Sequence, residues 1–94
     1  MKLSWSQAAI SDLIEARSYV ASDDARAAAE LGERIREAVA LIEKHPDVGK
    51  QGRVRGTREF VVAGTPYLLV YRRTSRRLEL MRLWHGKRRW PTTE

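Results

Sequence analysis

"REFVVAGTPYLLVYRRTSRRLELMRLWH", residues 58–85, is the stretch that decides the fold class. Its apolar residues tend to recur at every second position, the spacing of a strand that presents one side to a core. "REFVVAG" (58–64), "YLLVYRR" (67–73) and "LELMRLWH" (78–85) read as three strands. "GTP" (64–66) and "TSRR" (74–77) read as the turns between them, and strands joined by turns this short run antiparallel. The last strand is apolar on both faces, with Leu78, Leu80 and Trp84 on one and Met81 and Leu83 on the other. It is therefore expected inside the sheet.

Upstream the period lengthens. "KLSW" (2–5) alternates and predicts a short first strand, after which Ser6 can cap a helix running to about Ala21. Ala9, Ile10, Leu13, Ile14, Arg17 and Val20 or Ala21 mark its expected buried face. "SDD" (22–24) breaks that helix and caps a second, from Ala25 to Lys44, with Ala28, Leu31, Ile35, Ala38, Val39 and Ile42 inside. Its outer face carries Glu30, Glu33, Arg34, Arg36 and Glu37 at pairing distance. His45-Pro46 ends it, because the residue before proline avoids the helical region. The short link between the helices predicts a helical hairpin. The order is β-α-α-β-β-β: an α+β fold in which a helical hairpin packs on a small antiparallel sheet. A chain of 94 residues has room for one domain, so residues 1–94 are assigned to it.

"DVGKQGRVRGTR" (47–58) has neither period. Gly49, Gly52 and Gly56 punctuate it, while Lys50, Arg53, Arg55 and Arg58 charge it. A long aperiodic segment in so small a domain points to function, and glycine-spaced cations suit the approach of a phosphate.

The charge is lopsided. Residues 1–47 carry six Lys/Arg and nine Asp/Glu, whereas residues 48–94 carry twelve and three, so a basic second half accounts for the net +6. Fourteen of the eighteen cations are arginine, whose planar fork suits phosphate or carboxylate. Such a half implies a polyanionic partner, either nucleic acid or an acidic protein segment. A plain nucleic-acid-binding module has the charge for this but lacks a helix-turn-helix signature, and the two helices are acidic overall. The absence of cysteine removes disulfides, thiol catalysis and thiolate metal sites together. With only His45 and His85, no histidine-based metal cluster is expected, and no cofactor. No apolar run is long enough to span a bilayer and none follows Met1-Lys2, so a cytoplasmic protein without membrane association is expected.

"LWHGKRRWP" (83–91), near the end of the sequence, brings imidazole, guanidinium and indole close together. Cleavage of RNA by its own 2′-hydroxyl needs a base, cations for the crowded phosphate and an acid for the leaving oxygen. His85 is the candidate acid or base near the cations, since an imidazole titrates near pH 6.5. Arg88 lies beyond the glycine and can swing back, and Arg58 and Arg72 from neighbouring strands can converge with it on one phosphate. Arg82, three residues before His85, points to the opposite face of a regular strand. Trp90 can stack on a base.

Gly56-Thr57-Arg58-Glu59, the Val70-Tyr71-Arg72 strand and His85-Gly86-x-Arg88-x-Trp90-Pro91, in this order, resemble the RelE/ParE superfamily of toxins from bacterial type II toxin–antitoxin modules. The resemblance covers nearly the whole chain. It implies a growth-arresting toxin neutralised by a cognate antitoxin that wraps around it. RelE-like members cut messenger RNA on the ribosome, and that resemblance would make His85, Arg88 and Arg58 the catalytic set. ParE-like members poison DNA gyrase without a covalent reaction of their own. Where RelE-like nucleases carry a tyrosine near the end, this chain has Trp90-Pro91, which looks more like the ParE-like pattern. Lys50, Arg53, Arg55, Arg82 and Trp90 are the candidate contacts to target or phosphate under either reading.

Overall fold

The computed structural model describes residues 2–87; two expected site residues, Arg88 and Trp90, lie outside them, as do Met1 and the end of the chain. The elements follow the expected order. Strand β1 (Lys2–Trp5) leads into helix α1 (Gln7–Ala21), followed by α2 (Ala25–Lys44). Then come β2 (Lys50–Gln51), β3 (Arg58–Val61), β4 (Tyr67–Arg73) and β5 (Arg77–His85). The two-residue β2 is an addition, a short pairing inside the segment read as loop. Both helices start at the caps their sequences offer. Ser6 Oγ accepts from the Ala9 N–H at 3.0 Å, and the Asp24 carboxylate accepts from Arg26 N–H at 2.9 Å.

The sheet runs β1-β5-β4-β3-β2. Strands β3, β4 and β5 form the expected antiparallel meander, and β5 lies inside the sheet. The wholly antiparallel sheet is corrected at one edge, because β1 pairs with β5 in parallel, Lys2 opposite Arg77 and Trp5 opposite Leu80. A parallel neighbour needs a long crossover, which the helical hairpin and the meander provide.

β1 covers only Arg77–Leu80, leaving the rest of that β5 edge to α1. Ser6 N–H donates to Leu80 O at 2.9 Å and Ser6 Oγ donates to Met81 O at 2.8 Å. Six residues further on, Asp12 Oδ2 accepts the Leu83 N–H at 3.0 Å and Arg82 Nε at 2.8 Å. This contact corrects the face expected for α1. Its buried residues are Ala9, Asp12 and Ala16, flanked by Leu13 and Val20, while Ile10, Ile14 and Arg17 face outward. A carboxylate that completes a strand edge outranks two isoleucines for the inward position, since an unmet buried N–H is costly.

Helix α2 buries the six residues its period predicts, Ala28, Leu31, Ile35, Ala38, Val39 and Ile42. All but Ala28 share one core cluster with Val62, Tyr67, Leu69, Tyr71, Leu78, Leu80 and Leu83 of the sheet half. Leu83 joins Leu78 and Leu80 because the register slips: Val70 is opposite Arg82, but Tyr71 is opposite Leu80. Met81 is the extra residue of this bulge, which turns Leu83 inward and Trp84 to the helix-free face, the reverse of the simple alternation. Among the described residues, no helix is long and apolar enough to cross a membrane.

Candidate functional site

The basic segment folds back over the end of β3 and β4, and a tyrosine pins it there. Tyr71 Oη donates to Pro46 O at 2.7 Å and accepts the Gly49 N–H at 2.9 Å, with burial pushing its phenol above the ordinary range. Position 49 has to be glycine, because a Cβ there would lie 2.8 Å from the Tyr71 ring. Arg58 Nη1 donates to Gly49 O at 2.6 Å and Asp47 O at 3.3 Å, so its guanidinium holds the loop from the other side. Asp47 then sits between two cations, with Oδ1 3.7 Å from Arg58 Nη2 and 3.4 Å from Arg73 Nη1. Arg55, Thr57 and Gln51 complete a cavity of about 490 Å³ at this end.

On the helix-free face, Arg53 reaches back to Glu59, giving Nε to Oε2 at 2.9 Å, Nη2 to Oε1 at 3.2 Å and its backbone N–H to Oε2 at 2.9 Å. Burial pushes the Glu59 carboxyl up, but the Arg53 hydrogen bonds, with the charges of Arg53 and Lys50, hold it below its ordinary value. The Arg53 guanidinium also lies 5.2 Å above the Trp84 ring, and Arg82 lies 6.0 Å from the same ring. Asp12–Arg82–Trp84–Arg53–Glu59 is thus one continuous chain of contacts from α1 to β3. Arg82 and Arg53 both give their forks to carboxylates of this chain, and the Asp12 hydrogen bonds raise the pKa of Arg82 above its ordinary value. Arg72, on the opposite face from Arg58, pairs with Glu79 at 3.0 Å.

His85 stands at the other end. Its ring meets Tyr67 edge-on at 5.2 Å, and its Nδ1 accepts the Lys87 N–H at 3.1 Å. Gly86 N–H donates to Pro66 O, tying the end of β5 to the turn before β4. A cleft of about 300 Å³ opens beside the histidine, lined by Glu15, Tyr19, Tyr67, Leu83 and Lys87 among others.

Register fixes how far apart the two ends are. Arg58 is opposite Tyr71, and His85 is opposite Tyr67, with β4 between them. Four residues along the strand and two strand spacings across it put their backbones about 16 Å apart. The structure therefore gathers Arg58 with Arg55 and the basic loop, but not with His85. It also brings in residues that the sequence reading passed over: Asp12, Asp47, Glu59, Arg73 and Tyr19. Only a charge-complementarity argument linking the loop to Asp47 and Glu59 could have found the nearest of them. Among the described residues, no group of three or more His, Asp or Glu is placed to hold a metal ion.

The model of the ParE toxin of type II toxin–antitoxin systems, parDE, matches residues 3–90. A Sinorhizobium fredii (strain NBRC 101917 / NGR234) protein named "Putative toxin Y4kP" is 37% identical over 90 residues, spanning 96% of this chain and 93% of that protein. Among solved structures, one from the chromosomal ParDE toxin–antitoxin system of P. aeruginosa has a TM-score of 0.82 at 21% identity. That match covers 93% of this chain and 97% of the other. The YoeB/ParE toxin from Agrobacterium tumefaciens has the same kind of fold, with a TM-score of 0.58 at 22% identity over 88% and 95% of the two chains. The family model spans the meander, the basic loop and His85 in one match, and this chain belongs to the ParE toxin family of type II toxin–antitoxin systems.

Proposed function

We propose that this toxin arrests growth by binding DNA gyrase, with no phosphodiester chemistry of its own, and that a cognate antitoxin neutralises it. The observation that carries this reading is the separation of His85 from Arg58. General acid–base cleavage needs the proton-transferring group and the phosphate-binding cations within hydrogen-bond reach of one phosphodiester. Here the imidazole stands about 16 Å of backbone distance from the strand arginine, whose guanidinium is held by Gly49 O and Asp47 O rather than drawn toward the histidine. In this arrangement Nδ1 of His85 is already an acceptor for Lys87 N–H. The target surface then comprises His85 at one end and Lys50 and Arg55 at the other, with Arg88 and Trp90, outside the described residues, as the further contacts the sequence suggests. Arg53 and Arg82 serve it by shaping the face around Trp84.

The test is induction of the toxin alone in a bacterium, following supercoiling by purified gyrase alongside messenger RNA ends mapped on ribosomes. Loss of supercoiling or trapped double-strand breaks, with messages intact, is the expected result. New message ends inside codons that vanish in His85→Ala, with gyrase unaffected, would overturn it and make the toxin a ribosome-dependent endoribonuclease.

A further inference from the structure

The cavity between the basic loop and the ends of β3 and β4 is lined by three arginines, Arg55, Arg58 and Arg73, and by one carboxylate residue, Asp47, which pairs with Arg58 and Arg73. We propose that these arginines form a binding site for a carboxylate of an acidic protein segment, and that Asp47 occupies it from within until that segment arrives. The geometry of Asp47 is that of a weakly held internal ligand. Both guanidinium groups approach the same oxygen, Oδ1, at 3.4 and 3.7 Å, whereas a well-formed Arg–carboxylate pair is bidentate at about 2.7–2.9 Å. The Asp47 side chain is 67% exposed, so water competes for it throughout. Arg58 is fixed independently, because Gly49 O and Asp47 O hold its Nη1 whether or not the Asp47 carboxylate is in place. Among the described residues, no carboxylate lies within ion-pair distance of Arg55. Displacing Asp47 would therefore leave Arg58 in place, with the charges of Arg55 and Arg73 beside it free of any competing carboxylate.

The lining also selects the ligand. Asp47, Gln51, Gly52, Arg55, Gly56, Thr57, Arg58 and Arg73 include no aromatic ring. A nucleic-acid strand threaded here would have no surface on which to stack its bases, the contact that usually holds single strands. The internal occupant is itself a carboxylate, which shows the group this spacing already accommodates. The inference rests on the reading above only in supposing that the segment's owner is a protein partner.

The test uses the purified full chain, with arginine Nε–H resonances followed by NMR during titration with acetylated hexaglutamate, and with hexathymidylate as the nucleic-acid probe. Hexaglutamate should bind saturably and move the Arg55, Arg58 and Arg73 signals together. Arg55→Ala and Arg73→Ala should each weaken it about three- to fivefold, the scale of one partly exposed ion pair. Asp47→Asn should tighten it by a similar factor, because the competing charge is gone, while Arg36→Ala on the outer face of α2 should leave it unchanged. Melting curves of each variant separate lost binding from lost folding. Weaker binding by Asp47→Asn, failure of hexaglutamate to saturate, or tighter hexathymidylate binding through the same three arginines would each overturn the proposal. All of these can occur while growth arrest and gyrase inhibition stand, so the two readings fail separately.

Discussion

Asp12→Ala should be among the most destabilising single changes available outside the apolar core. The Asp12 carboxylate accepts three hydrogen bonds, from Arg82 Nε at 2.8 Å, Arg82 Nη2 at 3.1 Å and Leu83 N–H at 3.0 Å. Removing it leaves the buried Leu83 N–H without an acceptor at the edge of β5, a loss of about 1–3 kcal/mol. The Arg82 side chain is 31% exposed and can turn partly to water, so its lost ion pair adds only about 1 kcal/mol. Alanine recovers a few tenths of a kcal/mol, since it favours the helix interior more than aspartate does. The net cost is about 2–4 kcal/mol, against a total of roughly 5–14 kcal/mol for a chain this size. In thermal unfolding that corresponds to a fall in Tm of about 10–25 °C. Asp12→Asn keeps an oxygen for the Leu83 N–H and should cost about half as much. A double-mutant cycle with Arg82→Met in urea should return a coupling near 1 kcal/mol. If Asp12→Ala falls within about 0.5 kcal/mol of the parent, α1 does not complete the strand edge and the account of its inward face is wrong.

The same account makes Ile14, 61% exposed, a nearly silent position, whereas Ile35, 3% exposed, is core. In urea unfolding Ile14→Ser should lower the stability by less than about 0.5 kcal/mol and Ile35→Ala by about 2–4 kcal/mol; equal costs would mean that α1 is rotated. Glu59 sets an acid limb on the stability curve. Its folded pKa lies below 4.5, so its contribution is full above pH 4.5 and disappears as pH falls through the lowered folded value. Glu59→Gln should flatten that limb, and parallel acid unfolding of parent and variant would show that the Arg53 contact contributes nothing.

What the sequence displayed was whatever depends on near neighbours. The three-strand meander of residues 58–85 with its two short turns, and the six inward residues of α2, depend on local periods and stand as read. The errors arise where a partner lies far along the chain. Asp12 looks like a solvent-facing charge until Arg82, seventy positions later, and the open edge of β5 are beside it. Parity placed Trp84 with Leu80 because a one-residue bulge at Met81 has no signature in composition, although it decides which residues reach the helices and which reach Arg53. The site shows the same division. Its cations stood out because arginines clustered among glycines are visible in one segment. The carboxylates that arrange them, Asp47 and Glu59, and the phenol that holds the loop down were legible only once the segment was folded against β3 and β4. Register therefore decides which residues keep company. His85 and Arg58 are each suited to phosphate chemistry, but they sit beside opposite ends of β4, one opposite Tyr67 and the other opposite Tyr71.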